Sequence, residues 1–390
     1  MSRVAPPRGF ASDEFEARLE KAQARMRREG LTSLLLTREA EVRYFSGFTT
    51  PFWQSPTRPW FLLVPLRGKP IAVIPEIGVA AMRRGWVDDI RSWPAPRPED
   101  DGLSLLVETL RETGAERGRV GVPMGPETQL RMPLADYYRL EAALPTTEFV
   151  DATGLIRALR LLKSDAEIAR IAHVCALAGE AFAAVPRLAA TGQPLAEVFR
   201  AFRIDLLRRR VDDVPYLVGG AGPGGYADVI SPPGDRALGA GDVLMMDTGA
   251  VYDGYFCDFD RNYAVERADA AAHRAYATLY RATDAGFAAA RPGARCADVF
   301  HAMRTVIEDA GYDVGDVGRM GHGLGMQLTE WPSLTATDRT VLAPGMVLTL
   351  EPGLSLGACC GMVHEENLVI REDGAEWLTC RAPDELPVLA

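Results

Sequence analysis

Apolar positions run through the chain in two rhythms, and their alternation predicts most of its elements. Phe15, Leu19 and Met26 fall at helical spacing within residues 13–29, where Asp13 and Glu16 stand at capping-box distance, so a surface-packed helix is expected there. Short apolar runs at 31–37, 60–65, 70–75 and 120–123 read as strands, and helical runs near 102–113 and 134–143 alternate with them. This is the pattern of an α/β domain, and no Gly-rich phosphate loop accompanies it. A boundary falls between 150 and 163, dividing the chain into 1–158 and 159–390. Just beyond it Ser164 and Glu167 repeat the capping-box spacing and open a long Ala-rich helix. Further on, Gly219-Gly220-Ala221-Gly222-Pro223-Gly224-Gly225 is too rich in glycine for regular structure and predicts a loop at the mouth of a pocket. Helices are expected at 269–290 and 296–310, separated by Arg291-Pro292-Gly293.

Two strand-like pairs carry acids where an apolar core disfavours them. In residues 244–261 an apolar run ends in Asp247, a Tyr252-Asp253-Gly254 turn follows, and a second run returns to Asp258. With Val251 opposite Gly254, Asp247 and Asp258 meet across the ladder, their Cβ atoms roughly 5 Å apart. Neighbouring buried anions repel and lose hydration, a cost that a bound cation removes; the bland alternative is a surface hairpin with exposed acids. Downstream, Gly-His-Gly-Leu-Gly at 321–325 presents His322 among glycines. Glu351 and Glu365 then face each other in a second hairpin centred on Ala358. Asp247, Asp258, His322, Glu351 and Glu365 are a sufficient ligand set for two hard divalent ions roughly 3.5–4 Å apart, with Asp258 and Glu365 as the bridging carboxylates.

Composition narrows the partners. A formal charge of −10 argues against nucleic acid or an anionic membrane and favours a small-molecule or short-peptide substrate. The N-terminus has no apolar signal core, and no run approaches the ~20 apolar residues of a membrane helix, so a cytoplasmic location is expected. Six cysteines without zinc-finger spacing read as reduced, mostly buried thiols. With only three lysines, Schiff-base chemistry has little to work with. Gly353-Leu354-Ser355-Leu356-Gly357 satisfies a nucleophile-elbow pattern literally, but another strand follows it where a helix is required. His364 precedes Glu365, so on a strand it points to the opposite face from the ligand.

The order and spacing of Asp247, Asp258, His322, Glu351 and Glu365, across residues 160–380, resemble the five-ligand signature of the pita-bread metallopeptidases. That group includes aminopeptidase P, prolidase, methionine aminopeptidase and their relative creatinase. The resemblance implies a creatinase-like α/β N-terminal domain followed by an α+β pita-bread catalytic domain with a twofold pseudo-duplication. It also implies two divalent metal ions (Mn, Co, Zn or Fe) and hydrolysis of an amide bond, with an Xaa-Pro dipeptide or peptide as the family default. Glu351 would hold a metal and take the proton of the attacking water. The protein would be a homodimer, in which N-terminal-domain residues such as Phe52, Trp53, Arg58 and Trp60 cover the pocket of the other subunit.

Departures from the family pattern matter as much. Aminopeptidase P and prolidase have a histidine seventeen residues before the first metal aspartate, which here is Ile230. Their second histidine, seven after the metal histidine, is Thr329, and their arginine two before the last metal glutamate is Val363. Asp260, where the family commonly has threonine, and Asp228, which shares strand parity with Ile230, are the candidate replacement acids or bases. Each has a bland reading as a hydrogen-bond partner or an ion pair with Arg261. The lost histidines favour a rival on the same scaffold, a non-peptide hydrolase or lyase of creatinase, ectoine hydrolase or sulfonium lyase type. A non-catalytic binding module is the remaining rival, which the intact ligand set disfavours.

Overall fold

The apolar runs of the first 151 residues assemble into one mixed sheet. The computed structural model describes residues 4–314, 318–357 and 360–389. Its first strands are β1 (Ser33–Leu36), β2 (Phe61–Pro65), β3 (Ile71–Pro75), β4 (Asp89–Trp93), β5 (Arg119–Val122) and β6 (Glu148–Asp151). They lie in the order β4-β3-β2-β1-β5-β6, parallel except where β2 pairs with β1 and β3. Strands β1 to β3 are buried at every position, which is why they read as unbroken apolar runs and not as alternation. Helices α1 (Ser12–Glu29), α2 (Leu103–Glu112) and α3 (Leu134–Ala143) accompany the sheet. The capping box expected at Asp13 is absent: Ala11 is the N-cap, no side chain caps it, and Asp13 sits inside the first turn. Residues Pro7–Arg160 form one compact unit, and Leu161–Ala390 with Met1–Pro6 form the other.

The second unit opens on α4 (Asp165–Phe182), and its capping box is present. Ser164 accepts from the Glu167 backbone N–H while the Glu167 carboxylate accepts from Ser164 N–H. The stretch Asp165–Arg187 is long and apolar enough for a membrane span, contrary to the expectation that no run approaches that length. Its window is 61% buried inside this unit, as a core helix requires. Helices α5 (Leu195–Arg208), α6 (Ala270–Ala289) and α7 (Cys296–Asp309) follow. The strands are β7 (Asp213–Pro223), β8 (Asp242–Tyr252), β9 (Tyr255–Phe256), β10 (Phe259–Val265), β11 (His322–Gly323), β12 (Glu330–Ser333), β13 (Val347–Leu350), β14 (Gly353–Gly357), β15 (Cys360–Val363), β16 (Glu366–Arg371), β17 (Gly374–Trp377) and β18 (Val388–Leu389). One sheet runs β18-β10-β8-β7 with β9 continuing alongside β8, another runs β12-β11-β13-β16-β17, and β14 pairs with β15. Ala275, Leu279 and Ala282 of α6 and Val299 and Met303 of α7 share a core with Val243 and Met245 of β8 and Leu348 and Leu350 of β13. Both sheets therefore close on the same pair of helices.

Two local expectations change and a third holds. Residues Gly219 to Pro223 are not a loop but the end of β7, laid against β8. Gly219 has φ +143°, and a Cβ there would stand 2.2 Å from Met245 O, so glycine is present for a close strand approach. The first hairpin is displaced by two residues: Tyr252 pairs with Tyr255, and Asp253-Gly254 form the turn with φ of +47° and +75°. These are the two positive dihedrals that a type I′ turn demands, and Asp-Gly supplies them better than Tyr-Asp. Asp247 consequently lies opposite Asp260, not Asp258, and Asp258 falls between β9 and β10. Last, Ala358 lies outside the described residues, although the register expected around it holds on both sides. Leu350 faces Glu366 and Gly353 faces Val363, so Glu351 and Glu365 are in step. Ser355 sits in β14 with β15 returning beside it, so no nucleophile elbow forms.

Candidate metal centre

Asp258 leaves the ladder because another side chain takes over its backbone hydrogen bonds. Asn367 Oδ1 accepts the Asp258 N–H at 3.0 Å, and Asn367 Nδ2 donates to Asp258 O. The freed carboxylate faces His322 Nε2 at 3.4 Å, and Glu351 Oε1 stands 3.5 Å from the same nitrogen. One ligand atom from each of Asp258, His322 and Glu365 lies within 4.8 Å of the others. His322 Nδ1 is 2.9 Å from Gly323 O, which places the ring proton on Nδ1 and turns the Nε2 lone pair toward the carboxylates. Thr349 Oγ1 accepts the His322 N–H at 3.0 Å and lies 3.5 Å from Glu351 Oε1, so it ties the imidazole to that glutamate.

Glu365 is fixed through its main chain. Asp260 Oδ1 accepts the Glu365 N–H at 2.8 Å, and Arg261 donates to Glu365 O at 3.0 Å and to Glu366 Oε2 at 3.0 Å. The Arg261 side chain thus pairs with Glu366, and it also donates to Asp260 O at 2.6 Å, whereas the Asp260 carboxylate accepts the Glu365 amide. Asp247 stands across the ladder from Asp260, and the Tyr216 phenol beside it favours its ionised form.

The electrostatics of this cluster ask for a cation. Asp247 Oδ1, Asp260 Oδ2 and Glu365 Oε1 are sealed from solvent and have no hydrogen-bond partner. Asp247 is half-buried as a residue, but its sealed carboxyl oxygen governs its titration. Burial, reinforced by the other carboxylates, pushes Asp247 and Glu365 well above the ordinary range. Burial pushes Asp258 up to about 6 against the opposing pull of His322. Burial also disfavours the charged imidazole of His322, yet Glu351 and Asp258 overcome it and raise its pKa. Hard oxygens with one oriented imidazole are the donor set of a divalent-cation site, and a cation would give the orphaned oxygens the partner they lack. Asp258, His322 and Glu365 fit a metal.

Residues 169–372 match the family model of metallopeptidase family M24, and residues 18–162 match that of the creatinase/prolidase N-terminal domain. The chain belongs to metallopeptidase family M24. Among M24 relatives it is similar to the probable dipeptidase PepE of Mycobacterium tuberculosis, with 29% identity over 98% of both chains. It is also 29% identical to the Xaa-Pro dipeptidase of Pyrococcus furiosus, over 60% of this chain and 67% of that protein. The crystal structure of dipeptidase PepE from Mycobacterium ulcerans superposes with a TM-score of 0.83 at 29% identity, covering 97% of this chain and 99% of that one. The prolidase of Thermococcus sibiricus, at 22% identity, shares the fold over 98% and 100% of the two chains with a TM-score of 0.87. The architecture is therefore a creatinase-type N-terminal domain with a pita-bread M24 catalytic domain, and the chain is a metal-dependent hydrolase.

The remaining expected site residues are more dispersed. Asp228 is on the surface, where its Oδ1 accepts the N–H groups of Ile230 and Ser231 at 2.9 and 3.0 Å. Those bonds, with the Ser231 side chain foremost, hold its pKa below the ordinary range. Ile230 is 75% exposed. Thr329 is half-buried between β11 and β12, and Val363 ends β15 with its N–H donated to the Tyr226 hydroxyl at 2.7 Å. Trp53 and Arg58 belong to the N-terminal unit. Trp53 packs on Phe48 and Trp60 with the Arg131 guanidinium 5.2 Å from its ring, and the Arg58 guanidinium lies 5.3 Å from the Phe52 ring. His364 is fully buried against Tyr276 and Tyr280, and burial pulls it down to about 3, so it stays neutral. Four contributors escaped the sequence reading: Asn367, Thr349, Tyr216 and Arg319, the last with its Nε 3.7 Å from Glu351 Oε1. Only Asn367 left a signal, as a polar residue following two glutamates in an apolar strand.

Proposed function

We propose that this enzyme is a dinuclear metal-dependent dipeptidase, cleaving the amide bond of short peptides with Xaa-Pro dipeptides among the candidates. The carrying observation is the convergence of Asp258, His322 and Glu365 within 4.8 Å, with buried carboxylate oxygens that have no other partner. Asp247, Asp258, His322, Glu351 and Glu365 would hold the ions. Bound there, two divalent cations supply Lewis acidity, acidifying water near neutral pH and stabilising the oxyanion that develops on the amide carbonyl. Glu351 is suited to take the water's proton, because its side chain is 25% exposed against 6% for Asp258 and 3% for His322. Asp260 serves by fixing Glu365, and the capping bonds of Asp228 argue against a part in proton transfer. The dipeptidase names of full-length relatives support the substrate class. Manganese as the working metal, a homodimer, a cytoplasmic location and the substrate-side roles of Thr329, Val363, Ile230, Trp53 and Arg58 rest on the family resemblance.

A second reading, a non-peptide hydrolase or lyase, is favoured by one observation: Ile230 and Val363 offer no side-chain donor and Thr329 no cation. The two are separated by kcat/KM on Gly-Pro, Ala-Pro, Ala-Leu and a Pro-second tripeptide with Mn, Co and Zn. At least one dipeptide is expected to reach about 10⁴ M⁻¹s⁻¹. Values orders of magnitude lower across the panel, alongside turnover of creatine, a guanidino acid, or of a small non-peptide amide, would establish the second reading instead.

A further inference from the structure

Lys163 is the single lysine of the catalytic unit, and it is buried. Its N–H donates to Gly345 O at 2.8 Å and the next residue, Ser164, caps α4, so its main chain is fixed. Its ammonium meets Glu330 Oε2 at 3.1 Å, with side-chain exposures of 2% and 7%. Taking two charges out of water is costly, and such a pair is sustained where further hydrogen bonds complete it. The second oxygen does this: Glu330 Oε1 accepts the Gln327 N–H at 3.2 Å. A Cβ at Gly325 would stand 2.7 Å from that oxygen, so glycine lets the chain curl around the carboxylate. Gly325 N–H donates to Gln327 O at 3.2 Å, and Gly325 O accepts the Phe256 N–H at 2.8 Å. Residues 324–329 are thus wound on one carboxylate, which one ammonium holds. The loop borders the metal centre at both ends. It leaves β11 directly after His322-Gly323, and Gly323 pairs with Glu330 across the ladder. Leu328 reaches the other side, since a Cβ at Gly249 would meet its Cδ1 at 2.3 Å, and Gly249 shares a face of β8 with Asp247.

We propose that Lys163 is a positioning residue which, through Glu330, holds the 324–329 loop as a wall of the substrate site and so sets substrate affinity. This role rests on the amide-hydrolase reading above and deepens it. The pair does not support the metal itself, because His322 is held from its other side: Thr349 accepts its N–H, and Gly323 pairs with Leu348 of β13. Removing the ammonium deprives the buried Glu330 carboxylate of its counter-charge, so the carboxylate turns toward water and lets go of the Gln327 N–H. The wall then moves, and a displacement of about 1 Å at a substrate contact costs up to about 100-fold in rate. The loss falls on KM, since a wall touches the substrate equally before and during the reaction.

The test uses Mn-loaded wild type, K163M, K163M/E330Q and K163M/E330L on the dipeptide cleaved fastest in the panel. K163M should raise KM about 10-fold or more, with kcat and Mn content near wild type. Both double variants remove the buried charges together and should melt close to wild type. K163M/E330Q keeps an amide oxygen for the Gln327 N–H and should recover most of the KM, whereas K163M/E330L has no acceptor and should not. A pair that served stability alone would let KM recover with the melting temperature in both. Should K163M fail to fold, the double variants decide. Wild-type KM in K163M/E330L, equal KM in the two double variants, or loss of Mn from K163M/E330L would overturn the assignment and leave the hydrolase reading standing. If wild type cleaves no peptide, that reading fails by itself. Hydrogen exchange then decides the hold of Lys163 on the loop: amides of 324–330 should exchange about 10-fold faster in K163M/E330L than in wild type or K163M/E330Q. Equal exchange in all three would overturn it.

Discussion

Glu365 shows how a ligand can be a liability to the fold that carries it. Its Oε1 is buried without a partner, and burial raises its pKa, so in the metal-free protein it is an acid held away from the water it needs. Glu365→Gln should therefore raise the stability of the metal-free protein in urea titrations while abolishing turnover. A variant that is both active and destabilised would contradict the metal assignment. Asp260 shares that liability at Oδ2, which is buried without a partner, but its Oδ1 carries the Glu365 amide. Asp260→Ala should cost about 1–3 kcal/mol by leaving that N–H unsatisfied and weaken metal affinity about 10- to 100-fold. Asp260→Asn, which keeps an acceptor, should lose less by both denaturation and metal titration. The pH dependence follows from the same acids. Asp247, Asp258 and Glu365 bind protons more tightly folded than unfolded, so their stabilisation is complete below the unfolded value near 4. It is lost as pH rises through the folded values, about 6 for Asp258. Asp260, also raised by burial, acts in the same sense, and the depressed acids Asp242 and Glu366 act only at lower pH. His364, held down to about 3 by burial, adds stability as pH rises toward its unfolded value of about 6.5 and so offsets part of the loss. The melting temperature of chelator-treated protein should fall from pH 5 to 7, whereas metal-loaded protein should gain over that interval, because ions bind the ionised carboxylates. A flat or rising metal-free profile would argue against the raised values.

At the level of elements, the two hairpins were legible in unequal degree. The second could be placed from Glu351 and Glu365 because apolar residues on both arms leave one register that buries them. The first could not, since Tyr252-Asp253-Gly254 contains two possible two-residue loops and the choice depends on which pair tolerates two positive φ angles. Parity rescued the inference: a shift of two residues keeps each side chain on its face, so Asp247 still looks toward Asp258 with Asp260 interposed. The glycines at the end of β7 were misread because composition alone cannot separate a loop from a strand pressed onto its neighbour. Gly219→Ala should cost about 1–3 kcal/mol in equilibrium unfolding, as overpacking against backbone does. A neutral outcome would mean that β7 can draw away from β8.

At the level of the whole molecule, the five proposed ligands come from elements spread over more than a hundred positions, and that breadth made the family readable from sequence. Their supporting shell was not readable, because Asn367, Thr349, Tyr216 and Arg319 act through contacts that only the folded chain creates. Asn367 grips Asp258 by its peptide N–H and carbonyl. It acts on main-chain atoms and leaves the carboxylate free to face His322, so the aim of the Asp258 side chain is set by the scaffold. The site is then a socket rather than a hinge. Exchange of one divalent ion for another would ask for no movement of the Asp258 main chain, which Asn367 already holds.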